Sequence, residues 1–230
     1  MTEIYAIYGS GGYAREVMPL LRDYVNTISQ HNNYEFIFVD DFVAEEGKVN
    51  DSLVLSFDNL VEKYNGANIK CCIAIADKKV REKLTQKCID NGVKMMSVKA
   101  LNTVVMDEVT IGEGSVLSPF VTVTSNVSIG KSFHANIYSY VAHDCVIGDF
   151  VTFAPSVKCN GNVHIQDGVY VGTGAIIHPG TKDNPIVIGK NSKVGAGAVV
   201  TKSVPDNVTV IGNPAQVLTR GLLKKMRAND

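Results

Sequence analysis

Hydrophobic and polar positions follow two different patterns along this chain. From residue 1 to about residue 96, short apolar runs alternate with segments whose apolar residues recur at helical spacing. The predicted strands cover 4–8, 34–39, 53–55 and 69–75, and the predicted helices follow residue 12 and cover 57–64 and 78–91. Strands that alternate with helices predict a small parallel sheet with helices on its faces, a Rossmann-like α/β domain.

The second half repeats every six residues, a period that belongs to neither a helix nor a simple strand. The apolar position of the repeat is occupied by Val105, Ile111, Leu117, Val123, Ile129, Ala135, Val141, Ile147, Phe153, Cys159, Ile165, Val171 and Ile177. The fifth position of each hexad is small or apolar as well. The register breaks at 181–185 and resumes at Ile188, which predicts a loop inserted into one turn of the repeat.

This period predicts a parallel β-helix. One hexad is a short strand and a turn that cannot bury its apolar residue alone, whereas three hexads form an 18-residue triangular coil, and stacked coils bury a continuous core. The strands of a β-sandwich, the alternative, do not keep a six-residue register for seventy residues. The expected division is an α/β domain at 1–96, a β-helix at 97–215 and a tail or short helix at 216–230.

Composition and residue spacing disfavour nucleic-acid binding, a membrane span and a metal site. The chain has 230 residues with a net charge of -1, which disfavours nucleic acid as a partner. The N-terminus lacks the features of a signal peptide, and no apolar run reaches the roughly 18 residues of a membrane span, so we expect a cytoplasmic protein. The five cysteines form no CxxC pair and are read as buried free thiols, and no histidine or cysteine pair has the spacing of a metal site.

Several motifs together resemble the hexapeptide-repeat acyltransferases, and most closely the NeuD-type sugar acetyltransferases. They are GSGGYAREV near the start, FVDD at the second strand, the hexads, YVAHDCVIGDFVTFAP and VIGNPA. The resemblance implies a left-handed β-helix, a homotrimer with active sites between neighbouring subunits, and acetyl-CoA as co-substrate without a metal. It also implies N-acetylation of the C4 amino group of a nucleotide-linked 4-amino-4,6-dideoxysugar for surface glycan synthesis.

His143 is the candidate general base. It occupies a turn position of its hexad, so its imidazole is expected to point out of the prism, and histidine suits proton transfer near neutral pH. In the resembling enzymes a histidine followed by an acidic residue has this role, which assigns Asp144 to orienting the ring. A solvent-facing turn histidine is the alternative for such a residue in isolation.

Other candidate residues lie near His143 in the repeat. Gly161 follows His143 by 18 residues, one coil, and the resemblance gives its amide to the thioester carbonyl; a glycine needed only for its turn is the alternative. Asn136 matches a polar position of the family motif that holds the substrate or the base, although asparagines are equally common in β-helix turns. Small residues and a lysine further along are expected to bind acetyl-CoA: Gly172, Gly174, Ala196, Gly197 and Lys202.

The first glycine-rich turn is the candidate nucleotide-sugar site. Gly9, Ser10, Gly11 and Gly12 join a strand to a helix N-terminus, where free amides attract phosphate. The turn lacks the third glycine of a dinucleotide motif, and the resemblance instead implies a nucleotide-diphosphate sugar, with the diphosphate on Gly11 and Gly12 and the nucleoside near Asp40 and Asp41. Nothing in the sequence chooses among UDP, GDP and dTDP.

The chain departs from the family at Thr152, where a second histidine is frequent, and at Lys99-Ala100, where His-Pro is common. Two other functions stay open from the sequence. One is O-acetylation of a sugar of the sialic acid type. The other is a non-catalytic β-helix that binds sugar.

Overall fold

The computed structural model describes residues 2–29, 33–43 and 46–221. The chain divides into two compact units: residues 1–103 with 112–119, called here the α/β unit, and residues 104–111 with 120–230, called here the β-helix unit. The predicted domain boundaries at 96/97 and 215/216 stay predictions. Of the predicted tail, residues 216–217 form a strand, and residues 222–230 lie outside the described part.

The α/β unit contains a mostly parallel six-stranded sheet and three helices. Its strand order is β3-β4-β2-β1-β5-β6, and only β3 is antiparallel to its neighbour. The strands are β1 (Glu3–Tyr8), β2 (Tyr34–Val39), β3 (Gly47–Val49), β4 (Ser52–Leu55), β5 (Asn68–Ile73) and β6 (Lys94–Met95). The helices are α1 (Gly12–Ile28), α2 (Phe57–Lys63) and α3 (Lys78–Asp90).

The elements of the α/β unit form where the sequence predicts them, with two additions. Apolar residues of α1 at helical spacing, among them Val17, Leu21 and Val25, are fully buried. Ser56 caps α2 by accepting a hydrogen bond from Asn59 N, and Asp77 caps α3 by accepting one from Val80 N. The short strands β3 and β6 lie at the two edges of the sheet, and the apolar pattern does not reveal them because neither strand is fully buried.

The remaining strands are two or three residues long. They are β7 (Val98–Lys99), β8 (Val104–Val105), β9 (Val109–Ile111), β10 (Val116–Leu117), β11 (Thr122–Val123), β12 (Val127–Ile129), β13 (His134–Ala135), β14 (Tyr140–Val141), β15 (Val146–Ile147), β16 (Thr152–Phe153), β17 (Lys158–Cys159), β18 (Val163–Ile165), β19 (Tyr170–Val171), β20 (Ile176–Ile177), β21 (Ile186–Ile188), β22 (Lys193–Val194), β23 (Val199–Val200), β24 (Thr209–Ile211) and β25 (Gln216–Val217). Strands β7 and β10 pair with each other within the α/β unit.

Stacked coils give the β-helix unit three faces. The first face has the strand order β25-β24-β22-β19-β16-β13, the second β23-β20-β17-β14-β11-β8, and the third β21-β18-β15-β12-β9. Partner residues in neighbouring coils are 18 positions apart, as Val123 and Val141 are, until the inserted loop at 181–185 widens the spacing. The apolar hexad positions from Leu117 to Val200 are buried, so the predicted six-residue register is confirmed.

Candidate active site

His143 lies at the corner where the chain passes from the second face of the prism to the third. The corner follows β14 and precedes β15. Asp144 has a φ of 59°, a left-handed conformation that aspartate tolerates better than most residues, and its N–H donates to Ser125 O of the preceding coil at 3.3 Å. The inward positions on either side, Val141 and Cys145, are buried. The His143 side chain, 61% exposed, therefore points out of the prism.

The imidazole of His143 is oriented by its neighbour in sequence. His143 Nδ1 lies 2.7 Å from Asp144 Oδ2. Because a carboxylate accepts, this contact favours the proton on Nδ1 and leaves Nε2 with a lone pair that can accept a proton. A ring in this state can accept a proton from a nucleophile, and the nearby carboxylate stabilises the imidazolium that results.

Gly161 lies directly against the imidazole, one coil further along the prism. A Cβ built on Gly161 would meet His143 Cε1 at 2.5 Å and Nε2 at 2.7 Å, so no side chain fits there while the ring keeps its position. Asn162 N donates to His143 O at 3.0 Å and ties the two corners together. Gly161 itself is buried, and within the described residues its N–H makes no hydrogen bond.

Lys202 lies on the same edge of the prism. It occupies the position after β23 that His143 occupies after β14, and these strands are three coils apart in the second face. With a coil spacing of roughly 4.8 Å, the two corners are roughly 14 Å apart along the prism axis. The Lys202 side chain is exposed and borders a groove of about 420 Å³ that Ser203, Pro205 and Gln216 also line.

The other predicted acetyl-CoA residues stack along a different edge, between the first face and the second. Gly172 is required by packing, because a Cβ there would meet Ala196 N at 2.6 Å. Gly174 and Gly197 have φ values of 68° and 66°, which favour glycine, and have open space where a Cβ would be. Ala196 and Gly197 are exposed. Within one chain, the predicted set is thus divided between two edges.

Asn136 also lies on the edge between the first and second faces. Its Nδ2 donates to Phe153 O at 2.8 Å, and its backbone N–H donates to the same carbonyl at 3.0 Å. The side-chain amide is therefore used to join two coils, the structural role that asparagine has in β-helix ladders. Thr152, a position at which the sequence departs from the family resemblance, lies in β16 and is buried.

Three residues that the sequence pattern did not single out as site residues also contribute to the His143 corner. Tyr140 Oη donates to Asn160 Oδ1 at 2.8 Å, and Cys145 Sγ donates to Asn160 O at 3.1 Å. Burial, followed by the proximity of Cys159, raises the pKa of Tyr140. The coil spacing is the sequence signal that could have revealed Asn160. Residue 160 directly follows β17, just as residue 142, next to His143, directly follows β14 one coil earlier.

In the α/β unit, the glycine-rich turn lies at the switch point of the sheet. The chain adds β2 and β4 on one side of β1 and then returns to add β5 on the other side, and ligands bind at the carboxyl ends of strands beside such a reversal. Gly9 has a φ of 112°, and its N–H donates to Val39 O at 2.7 Å. Gly11 is the N-cap of α1 without a side-chain cap, and both Gly11 and Gly12 are exposed with nothing within 4 Å of a Cβ position.

The two aspartates after β2 are held differently. Asp40 accepts hydrogen bonds from Ser10 Oγ and from Phe42 N. Asp41 accepts from Tyr8 Oη at 2.7 Å, Phe57 N at 2.9 Å and Lys87 Nζ at 3.0 Å. Burial by itself raises the pKa of Asp41, but these donors outweigh it and hold the pKa below its usual value. Asp41 is thus a structural anion at the edge of the switch point, whereas Asp40 accepts a hydrogen bond from Ser10 within the glycine-rich turn.

The described ranges 2–29, 33–43 and 46–221 lack two kinds of feature. No group of three or more histidine, cysteine or acidic side chains there is arranged to hold a metal ion. No helix in those ranges combines the length and apolar character needed to cross a membrane.

The chain resembles known proteins both in its first part alone and over most of its length. A family model, the PglD N-terminal domain, matches residues 5–88. The GDP-perosamine N-acetyltransferase of Escherichia coli is 46% identical over 186 residues, which cover 81% of this chain and 83% of that protein. Among solved structures, WeeI of Acinetobacter baumannii is 53% identical with a TM-score of 0.87, covering 94% of this chain and all of that one.

A second solved structure contains both ligand classes. PerB of Caulobacter crescentus, in complex with CoA and GDP-perosamine, is 27% identical with a TM-score of 0.79, covering 94% of this chain and 97% of that one. The fold expected from the sequence, a Rossmann-like α/β domain followed by a left-handed parallel β-helix, is confirmed by the sheet topology and these matches.

Proposed function

The chain belongs to the NeuD/PglD-type hexapeptide-repeat acyltransferases, and we propose that it transfers the acetyl group of acetyl-CoA to the C4 amino group of a nucleotide-linked 4-amino-4,6-dideoxysugar. Acyl transfer to the amino group of a nucleotide-linked sugar is the activity of this family. GDP-perosamine is the first substrate to test, because it is named for the relative with 46% identity and is bound in the PerB complex.

The observation that supports this proposal is the contact between His143 and Gly161. The amine nitrogen attacks the thioester carbonyl, the C–N bond forms, and the amine proton passes to His143 Nε2. The Gly161 N–H donates to the carbonyl oxygen as it becomes an oxyanion. The C–S bond then breaks, and the imidazolium returns the proton to the leaving thiolate. Asp144 keeps the ring in the required tautomer throughout.

The edge that carries His143 suits the donor. A coenzyme arm that runs along this edge from Gly161 reaches Lys202 over two further coils, roughly 10 Å, where an ammonium group can pair with phosphate. The glycine turn at Gly11 and Gly12 is assigned to the sugar diphosphate, since exposed amides at a helix N-terminus bind phosphate. Asp40 is assigned to the nucleoside.

We propose that the working enzyme is a homotrimer. Gly172, Gly174, Ala196 and Gly197 lie on a different edge from His143, so a donor that contacts both edges requires the second edge from a neighbouring chain. Exposed apolar side chains on the β-helix unit support such an assembly: Val104, Met106, Phe120, Ile137 and Tyr138. Light scattering should give three times the 24.8 kDa of the chain. A monomer at assay concentration would contradict the assembly. A biosynthetic enzyme of this kind is expected in the cytoplasm.

The decisive experiment is an acetyl-transfer assay with GDP-, UDP- and dTDP-linked 4-amino sugars. We expect turnover with one nucleotide class, and His143→Ala should lower kcat by about 10²- to 10⁴-fold, the usual contribution of a general base. The His143 side chain is exposed and contacts Asp144, so the melting temperature should stay unchanged. His164→Ala, a half-buried histidine on the third face, is the matched control and should keep full activity. Unaltered turnover by His143→Ala would overturn the assignment.

A further inference from the structure

The peptide bond between Asn160 and Gly161 is held from the interior of the prism. Cys145 is only 1% exposed, and its thiol donates a hydrogen bond to Asn160 O at 3.1 Å. The bond is trans, and in a planar trans peptide the N–H points opposite to the C=O. Because the carbonyl is directed at a buried thiol, the Gly161 N–H is directed away from that thiol. The imidazole of His143 lies against the Cα of the same glycine, where a Cβ would be.

Residue 160 is also held through its side chain. Asn160 Nδ2 donates to Ile177 O of the following coil at 2.8 Å, and Asn160 Oδ1 accepts from Tyr140 Oη at 2.8 Å. The backbone N–H of Asn160 donates to the same Ile177 carbonyl at 3.2 Å. Rotation of the 160–161 peptide plane would therefore break the contact with the thiol and strain the side-chain contacts as well.

The same hydrogen bond occurs at another corner without the same consequence. Ser139 Oγ donates to Ala154 O at 3.0 Å, and the two residues are 15 positions apart, as Cys145 and Asn160 are. The residue after Ala154 is Pro155, which has no N–H to direct. A buried side chain that donates to a corner carbonyl thus occurs at more than one corner. The corner at residues 160–161 differs because a glycine N–H, and not a proline, follows the carbonyl.

We propose that Cys145 and Asn160 are positioning residues that aim the Gly161 N–H at the thioester carbonyl oxygen. The proposal rests on the proposed function, which assigns that N–H to the developing oxyanion. A donor that already points at the oxyanion requires no reorganisation in the transition state. The Cys145 thiol forms and breaks no covalent bond in the reaction. Its contribution is therefore expected in kcat rather than in the KM of either substrate.

The test is a kinetic comparison of Cys145→Ala, Cys145→Ser and Ser139→Ala with acetyl-CoA and GDP-perosamine as probes. Cys145→Ala should lower kcat by about tenfold and leave both KM values within about twofold, since the Gly161 N–H stays present but is less well aimed at the oxyanion. Cys145→Ser should recover most of kcat, because its hydroxyl can donate to the same carbonyl. Ser139→Ala should lose a similar amount of thermal stability and keep kcat within about twofold.

A second pair of variants covers the case in which Cys145→Ala does not fold. Tyr140→Phe removes only the hydroxyl that holds Asn160, and we expect kcat to fall by about threefold. Its control is Tyr170→Phe, which removes the hydroxyl of an exposed tyrosine in β19. Equal kcat values for Tyr140→Phe and Tyr170→Phe would count against the proposal.

The remaining outcomes separate this proposal from the proposed function. If His143→Ala abolishes turnover while Cys145→Ala behaves like Ser139→Ala, the positioning role alone is wrong. A rise in KM at constant kcat, or no recovery in Cys145→Ser, also overturns it. If His143→Ala retains full turnover, the proposed function fails first, whatever the cysteine variants do.

Discussion

The two units hold their candidate ligand-facing groups in different ways. In the α/β unit, side chains hold one another: Asp41 is fixed by Tyr8, Phe57 N and Lys87, and Ser10 is bonded to Asp40. In the β-helix unit, hydrogen bonds between coils fix the corners, as Asp144 N to Ser125 O does, and the His143 side chain stays mostly exposed. Substitutions at the contact between His143 and Gly161 should therefore affect activity alone, whereas those in the side-chain network should also affect stability.

The largest expected effect comes from a methyl group at the His143 corner. In Gly161→Ala the new Cβ would lie 2.5 Å from His143 Cε1, so the ring must leave its place beside the amide. We expect kcat to fall by about 10²- to 10⁴-fold, the usual contribution of a general base, because the displaced ring can no longer act as one. Steady-state kinetics measures the loss of activity, and thermal unfolding measures any change in stability. A variant that unfolds more than a few degrees earlier would contradict the independence of activity and stability at this contact.

A smaller effect is expected at the glycine turn of the α/β unit. Gly12 is the first residue of α1 and has open space around a Cβ position, so Gly12→Ala should fold normally. A methyl group there would obstruct a phosphate that approaches the helix N-terminus, and we expect the KM of the nucleotide sugar to rise by about tenfold. The KM of acetyl-CoA is the internal control. If that value rises equally, the turn does not bind the sugar diphosphate.

The side-chain network gives the third prediction. Asp41→Ala removes the acceptor of three hydrogen bonds, and we expect the free energy of unfolding to fall by about 1–3 kcal/mol. Asp58→Ala is the matched control, since this 91% exposed carboxylate approaches the same Lys87 at only 3.8 Å. Chemical denaturation of both variants measures the difference. Equal stabilities would show that the network around Asp41 contributes nothing measurable.

The smallest expected effect concerns acid stability. A hydrogen bond from Tyr5, followed by one from Lys70, lowers the pKa of Glu3 to about 2. Because the folded-state pKa is depressed, the stability that Glu3 contributes is complete above an unfolded value near 4.5 and is lost as pH falls towards 2. Glu3→Gln should therefore melt below the wild type at pH 6, and the gap should narrow by pH 3. A gap that is constant with pH would contradict the ionised state of Glu3.

Sequence alone located most of the fold because its signals are local and repeated. The six-residue register identifies the inward positions from Leu117 to Val200, and the 18-residue coil predicts that His143 and Gly161 stack. The edge strands β3 and β6 were missed because neither carries a buried apolar run. Asp41 was assigned to the nucleoside, a role that stays a prediction, and sequence gave no sign of its three donors, which come from separate elements.

The amino-acid pattern by itself determined the two kinds of architecture, the face of each hexad residue and the corner that carries His143, because period and burial are properties of consecutive residues. Only the tertiary structure decided that Asp41 is tied by Tyr8 and Lys87 and that the buried thiol of Cys145 donates to Asn160 O. The physical reason is that hydrogen-bond direction depends on atoms brought together from distant coils and strands, and no local pattern of polar and apolar residues encodes that direction.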